Sequence, residues 1–334
     1  MTNRTTVTLP DSPSGIRSAV EFLRADVLVA FPTETVYGLG ADARSDTAVA
    51  RVFAAKGRPT FNPLIVHVAD FDMAEEIAFF PPPARRLAEA LWPGPLTLVL
   101  GKRRDAGLSD LATSGLDTVA LRIPAHDLAG QLLREFGGPL AAPSANPSGA
   151  VSPTRADHVL DGLGGRISAV LDGGACQVGL ESTIIGFDGD TGILLRPGGL
   201  DLGVIETVLG APLDTRALRH VNAPGQLLSH YAPRAGLRLE ATGPGPAEVW
   251  LGFGPIAALR PGLNLSPSGD LVEAAANLFA FLREADTIAT RTGVTRIAVA
   301  PVPMTGLGLA INDRLRRAAA PRPGEPWPAE TLPD

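Results

Sequence analysis

The alternation of segment types over the first two hundred residues sets the tightest limit on what this chain can fold into. Short apolar runs trade places there with amphipathic stretches, beginning with a predicted helix from about Ser14 to Ala25 and the run Val27-Leu28-Val29-Ala30-Phe31. Such alternation predicts an α/β fold. Further strands are predicted at Leu64–Val68, Thr97–Leu100, Val119–Ile123, Ser182–Phe187 and Ile193–Arg196, and helices at Thr47–Ala55 behind an Asp46 cap, Pro83–Leu91, Ala125–Phe136 and Leu202–Leu209. The runs are short, unevenly spaced and interrupted by glycine and proline, which suits a mixed, twisted sheet better than a regular doubly wound one.

A length of 334 residues exceeds what one small core uses and is comfortable for two domains. Residues 1–209 read as the first. Periodicity is lost over 210–236, where Pro212, Pro224, Gly225 and Pro233 mark a linker. A simpler pattern follows over 237–320: strand Glu248–Phe253, helix Leu271–Ala285, strand Arg296–Val302 and helix Leu307–Ala319. That order predicts a smaller, Rossmann-like α/β domain, and the proline-rich 321–334 reads as a tail. No internal repeat is evident.

Composition excludes several functions. A formal net charge of −6 argues against broad adhesion to nucleic acid. Cys176 is the one cysteine, so neither an internal disulfide nor a cysteine-built zinc site can form, which fits a reducing compartment. Its simplest role is as a small apolar filler. The start of the chain is polar, and no apolar run reaches the roughly 20 residues needed to span a bilayer. A cytoplasmic location is expected.

Rare side chains mark where chemistry could lie. The chain holds two tyrosines, Tyr37 and Tyr231, and two lysines, of which Lys56 opens Lys56-Gly57-Arg58-Pro59. Five glycine- and proline-rich polar segments fall at predicted strand ends, the usual ligand side of an open α/β sheet. In Pro32–Gly40, the hydroxyls of Thr33, Thr35 and Tyr37 can hold a small polar substrate, or the segment is simply a tight turn. Lys56 and Arg58, with Asn62 and His67 close behind, suit a polyphosphate, one cation as a point charge and the other as a fork. The alternatives are a solvated surface pair and a core histidine. No Walker-type sequence occurs, so a P-loop is excluded. Arg122 interrupts the apolar strand Thr118–Ile123, and a buried guanidinium must meet an anion, either an internal carboxylate or a ligand's. The loop Ala141–Gly149, continuing to Ser152 and Thr154, is dense in hydroxyl and amide groups and could bind a ligand or cap a helix. The stretch Asp172–Gly199 adds Ser182 and Arg196.

In this order and spacing the segments resemble the threonylcarbamoyl-adenylate synthases, in the longer two-domain form with a YrdC-type catalytic domain. The resemblance rests on Pro32-Thr33-Glu34-Thr35-Val36-Tyr37-Gly38-Leu39-Gly40, Lys56-Gly57-Arg58-Pro59, Trp92-Pro93-Gly94-Pro95-Leu96-Thr97, Pro143-Ser144-Ala145-Asn146 and Leu180-Glu181-Ser182-Thr183. Ala223-Pro224-Gly225, His230-Tyr231-Ala232-Pro233 and Gly308–Leu315 match the longer form. The resemblance implies condensation of L-threonine, bicarbonate and ATP into threonylcarbamoyl-AMP with release of pyrophosphate, for the threonylcarbamoyladenosine (t6A) modification of tRNA. It implies threonine near Thr35, His67, Arg122, Ala142 and Ser182, with Arg122 on the carboxylate. It implies ATP near Lys56, Arg58, Asn62, Thr118, Ser144, Ser152, Arg196 and Tyr231, with Lys56 and Arg58 as the catalytic cations. Tyr231 would then belong to a linker that closes over the site. The magnesium ion (Mg2+) would arrive with ATP, since no carboxylate cluster is evident to hold it. The expected partners are transient threonylcarbamoyl-transfer enzymes, without stable tRNA binding or a membrane. The rival readings are an RNA-binding or ribosome-associated module on the same fold and a carbamoyl-transfer enzyme of hydrogenase maturation. The acidic balance opposes the first, and the single cysteine and the length, too short for the extra zinc-binding or acylphosphatase-like modules of such enzymes, oppose the second.

Overall fold

The computed structural model describes residues 5–59, 62–216, 230–255 and 262–321. The chain divides into two compact units, Met1–Ser148 with Ser152–Gln226, and Gly149–Val151 with Leu227–Asp334.

In the first unit the described residues form ten strands in one sheet: β1 (Val7–Leu9), β2 (Val29–Phe31), β3 (Gly38–Asp42), β4 (Ile65–His67), β5 (Leu96–Gly101), β6 (Thr118–Arg122), β7 (Leu140–Ala141), β8 (Ala169–Leu171), β9 (Thr183–Asp188) and β10 (Thr191–Arg196). Their order is β1-β8-β2-β3-β7-β4-β6-β5-β9-β10. Parallel pairs such as β4 with β6 and β5 with β9 mingle with antiparallel ones such as β5 with β6 and β9 with β10, so the sheet is mixed as its uneven spacing predicts. Four of these strands escape a reading by apolar runs. β7 is two residues long, β3 is a Gly-Leu-Gly-Ala-Asp segment, β1 lies in the polar start of the chain, and β8 is three residues beside a glycine turn.

Helices cover the sheet because their apolar stripes need it. In Pro13–Arg24 the buried Ile16, Ala19, Val20 and Leu23 lie at helical spacing, Pro13 opens the helix, and the Ser12 side chain accepts the Gly15 N–H at 3.2 Å. It packs with the helix Asp127–Phe136 in a core that includes Phe31, Leu128, Leu132 and Leu171. The helix Asp46–Lys56 is capped by Ser45, whose side chain accepts the Ala48 N–H, and Asp46 is its first residue rather than its cap. Gly57 ends it at φ 62°, a backbone state that glycine adopts without penalty, and so Lys56 sits on the last helical turn with Arg58 just beyond.

The second unit carries an all-parallel sheet of β11 (Gly236–Arg238), β12 (Glu248–Gly252), β13 (Leu263–Asn264) and β14 (Arg296–Val299), ordered β11-β14-β12-β13. The helices Leu271–Thr292 and Gly308–Ala319 complete its α/β pattern. The first runs seven residues past the predicted Ala285. The threonine-rich end is a weak helix former, but Thr287, Thr290 and Thr292 donate their hydroxyls to carbonyls four residues back and Ala289 is buried. Of the expected linker, residues 217–229 lie outside the described residues, as do 322–334 of the expected tail. No helix among the described residues is long and apolar enough to cross a membrane.

Candidate active site

The register of three short strands builds the centre of the site. β4 pairs in parallel with β6 so that His67 stands opposite Arg122, and antiparallel with β7 so that His67 also faces Leu140. Arg122 is 3 % exposed and its contacts come from two other predicted segments. Nη1 donates to Thr35 Oγ1 at 2.8 Å, and Nε donates to Gly94 O at 3.2 Å in the Trp92–Thr97 turn. Nη2 lies 2.6 Å from Glu34 Oε1. The two anion partners left open by sequence therefore include an internal carboxylate that the structure identifies as Glu34.

Thr35 is itself oriented. Thr33 and Thr35 hydroxyls are 2.8 Å apart, and Thr33 donates to Val36 O at 2.7 Å. The other rare tyrosine of this segment is used for packing. Tyr37 is fully buried and its hydroxyl donates to Gly174 O at 2.8 Å, so burial pushes its pKa above the ordinary range. His67 stands edge-on to Phe31, and burial, helped by the Arg122 cation, pushes its pKa down to about 3. At neutral pH it is an uncharged imidazole that can donate or accept but brings no cation.

A second cluster forms where β9 and β10 meet. The Ser182 hydroxyl is 2.7 Å from Thr97 Oγ1, and Arg196 Nη2 donates to Ser182 O at 2.8 Å and to Ser182 Oγ at 3.2 Å. Arg196 is 4 % exposed, so a second guanidinium is held inside the fold. Gly198 makes this approach possible, because a Cβ there would stand 2.4 Å from the Ser182 carbonyl oxygen.

The Lys-Gly-Arg element and the Pro-Ser-Ala-Asn loop form a third cluster. Lys56 Nζ donates to Asn146 O at 2.6 Å and also to Ser144 O, and its own carbonyl accepts the Ser148 N–H at 2.8 Å. Burial, with Arg58 beside it, holds the Lys56 ammonium well below its ordinary pKa, and Glu181 opposes that shift in part. Arg58 reaches Asn62 O at 3.2 Å and Pro63 O at 3.0 Å. Ser152 donates to Glu181 Oε1 at 2.6 Å, and the Ala142 N–H is engaged by Ile65 O at 2.9 Å. Thr118 stands apart: it is the exposed first residue of β6, at the other end of that strand from Arg122, or about 13 Å away at ordinary strand rise.

Tyr231 lies in the second unit. It is 1 % exposed at φ 62°, an unusual backbone state for a bulky residue. Its ring stacks on Phe279 at 5.4 Å, and the Arg314 guanidinium lies 5.4 Å from its centroid. The sequence reading passed over Glu34, Thr97, His126 and Glu181 as site residues. Glu34 and Glu181 were inside quoted motifs, so a demand that each buried arginine or lysine have an anionic neighbour could have found them. His126 sits at a helix start with no motif to flag it.

Buried cations, hydroxyls and one neutral histidine on a mixed sheet, with a small parallel α/β unit after it in the chain, define a two-part α/β protein with a polar, cation-rich candidate site. The Sua5/YciO/YrdC family model, described as telomere recombination, matches residues 21–198, and the model described as threonylcarbamoyl-AMP synthase, C-terminal domain, matches residues 201–320. A threonylcarbamoyl-AMP synthase of Pyrococcus abyssi is 44 % identical over 328 residues, covering 92 % of this chain and 94 % of that one. One from Bacillus subtilis is 42 % identical over 328 residues, covering 92 % and 93 %. The crystal structure of P. abyssi Sua5 complexed with L-threonine aligns at a TM-score of 0.83 and 40 % identity, over 94 % of this chain and 97 % of that chain. The chain belongs to the threonylcarbamoyl-AMP synthase family and is an enzyme of that type.

Proposed function

We propose that the chain condenses L-threonine, bicarbonate and ATP into L-threonylcarbamoyladenylate and releases pyrophosphate, supplying the activated group for t6A formation in tRNA. The observation that carries the reading in the molecule itself is Arg122, a buried guanidinium set by strand register beside His67 and hydrogen-bonded to Thr35. A site with this inventory suits a small amino acid whose carboxylate pairs with Arg122, while Thr35, Ser182 and neutral His67 address its polar groups and the Ala142 strand end borders it.

The nucleotide reading sets ATP against Arg58, Asn62, Ser144, Ser152 and Arg196, with Thr118 farther off. The carbamate of threonine attacks the α-phosphorus, and the step needs alignment and charge stabilisation more than a strong nucleophile. Arg58 and Arg196 supply fixed positive charge as pyrophosphate leaves. Lys56 works from behind the loop: two carbonyls take hydrogen bonds from its ammonium, which leaves one of three N–H groups to face a phosphate. Among the described residues no three His, Cys, Asp or Glu side chains come together as a metal cage. Magnesium arriving with ATP would offset phosphate charge. The product passes to a transfer enzyme without stable binding of tRNA by this chain.

The test is pyrophosphate release in the presence of ATP, magnesium, L-threonine and bicarbonate, with each component omitted in turn. Release that needs all of them supports the synthase reading. Release from ATP alone, or none, overturns it.

A further inference from the structure

The buried pair of Glu34 and Arg122 is chemically incomplete. Glu34 is 5 % exposed and Oε1 lies within ion-pair distance of Arg122 Nη2, yet neither carboxylate oxygen receives an aligned hydrogen bond from the described residues. A buried carboxylate normally collects several donors, because each unmet lone pair carries a desolvation cost. Arg122 mirrors this state. Of its five N–H groups, one on Nε and one on Nη1 are engaged by Gly94 O and Thr35 Oγ1, and Nη2 has no aligned acceptor. Apart from their mutual ion pair, Glu34 Oε2 has no donor and Arg122 Nη2 no aligned acceptor among the described residues.

Its neighbours do not supply the missing charge. Among the described residues, His126 and Cys176 are two titratable groups that feel Glu34. Burial keeps His126 below its ordinary range despite the pull of Glu34, and burial pushes the Cys176 thiol up to about 12. Both are neutral near pH 7. An α-amino acid zwitterion carries what the pair lacks, with a carboxylate and a three-donor ammonium on adjoining atoms.

We propose that Glu34 accepts the α-ammonium group of the bound amino acid while Arg122 takes its α-carboxylate, so that the two pairs close into an alternating square of charges. The identity of the amino acid as threonine rests on the synthase reading above. The site would then refuse a hydroxy acid of the same shape, because that ligand brings a second anion beside Glu34 and no cation.

The experiment uses the full chain, with L-threonine and its deaminated analogue β-hydroxybutyrate as probes. Calorimetry reads the first, and saturation-transfer NMR at millimolar ligand reads the second. Glu34→Gln preserves shape and removes the charge, and ATP binding by the variant checks that it folds. Threonine affinity should fall about 30-fold or more, the loss typical of a buried charge pair deprived of one member. Binding of β-hydroxybutyrate should hold or tighten. Equal losses for both ligands would mean that Glu34 only aims Arg122, and unchanged threonine affinity would exclude any contact with the ammonium. Either overturns the proposal. If wild-type protein binds no threonine at all, the synthase reading itself fails, a result distinct from failure of Glu34 alone.

Discussion

Glu34 Oε1 and Arg122 Nη2 lie 2.6 Å apart, with both side chains about 95 % buried. Removing one partner strands the other in a low-dielectric interior. Arg122→Leu should therefore cost about 3–5 kcal/mol in unfolding free energy. The double variant Glu34→Gln with Arg122→Leu should recover most of that loss, giving a large non-additive coupling. Urea unfolding of the wild type, both single variants and the double variant checks this; strictly additive losses would show that the pair is not coupled.

His67 gives the fold an acid limit. Its folded pKa of about 3 lies below the ordinary 6.5, so between those values the unfolded chain binds a proton that the folded chain does not. Stability contributed by the neutral ring is complete above about pH 6.5 and is lost as pH falls, by up to about 1.4 kcal/mol per pH unit. Unfolding free energies measured from pH 7 to pH 4 should drop less steeply in His67→Gln than in the wild type. Parallel curves would contradict the assignment.

Gly198 is a packing requirement at the Ser182–Arg196 cluster. The Cβ of alanine would stand 2.3 Å from Ser182 C, and because the obstacle is backbone it cannot rotate aside. Gly198→Ala should lower stability by about 1–3 kcal/mol and, by moving Ser182, weaken threonine binding as well. Calorimetric titration alongside a thermal melt separates the two effects.

Lys56 should not be replaceable by arginine. Its compact ammonium fits between the Ser144 and Asn146 carbonyls, whereas a planar fork is too large and too differently shaped for that cradle. Lys56→Arg and Lys56→Ala should both slow pyrophosphate release about tenfold or more. Near wild-type release in Lys56→Arg would show that charge alone is what the position supplies.

The α/β class and the segments that carry the candidate site are legible in the sequence, because β-branched runs, capped helices and glycine-bearing motifs are local signals. Leu202–Leu209 is observed with the predicted bounds, and the helix before Lys56 starts one residue early for a visible reason, the Ser45 cap. What a linear reading misses is non-local. β7 is two residues that become a strand only because β3 and β4 stand on either side. The Lys56 contacts span about ninety positions, and nothing near Lys56 in the sequence announces the carbonyls of Ser144 and Asn146. Arg122 is a partial case: its burial is readable from the apolar strand around it, but the choice of Glu34 as its internal partner is made by the folded topology.

The placement of His67, Arg122 and Ser182 on or beside β4, β6 and β9 has a consequence for motion. These strands are interior members of the ten-stranded sheet, so their ladder amides open only with the core. Hydrogen exchange of the β4 and β6 amides beside the candidate threonine site should thus be among the slowest in the first unit. The strand-borne part of the site, His67 and Arg122, is stiff for the same reason that the domain is folded.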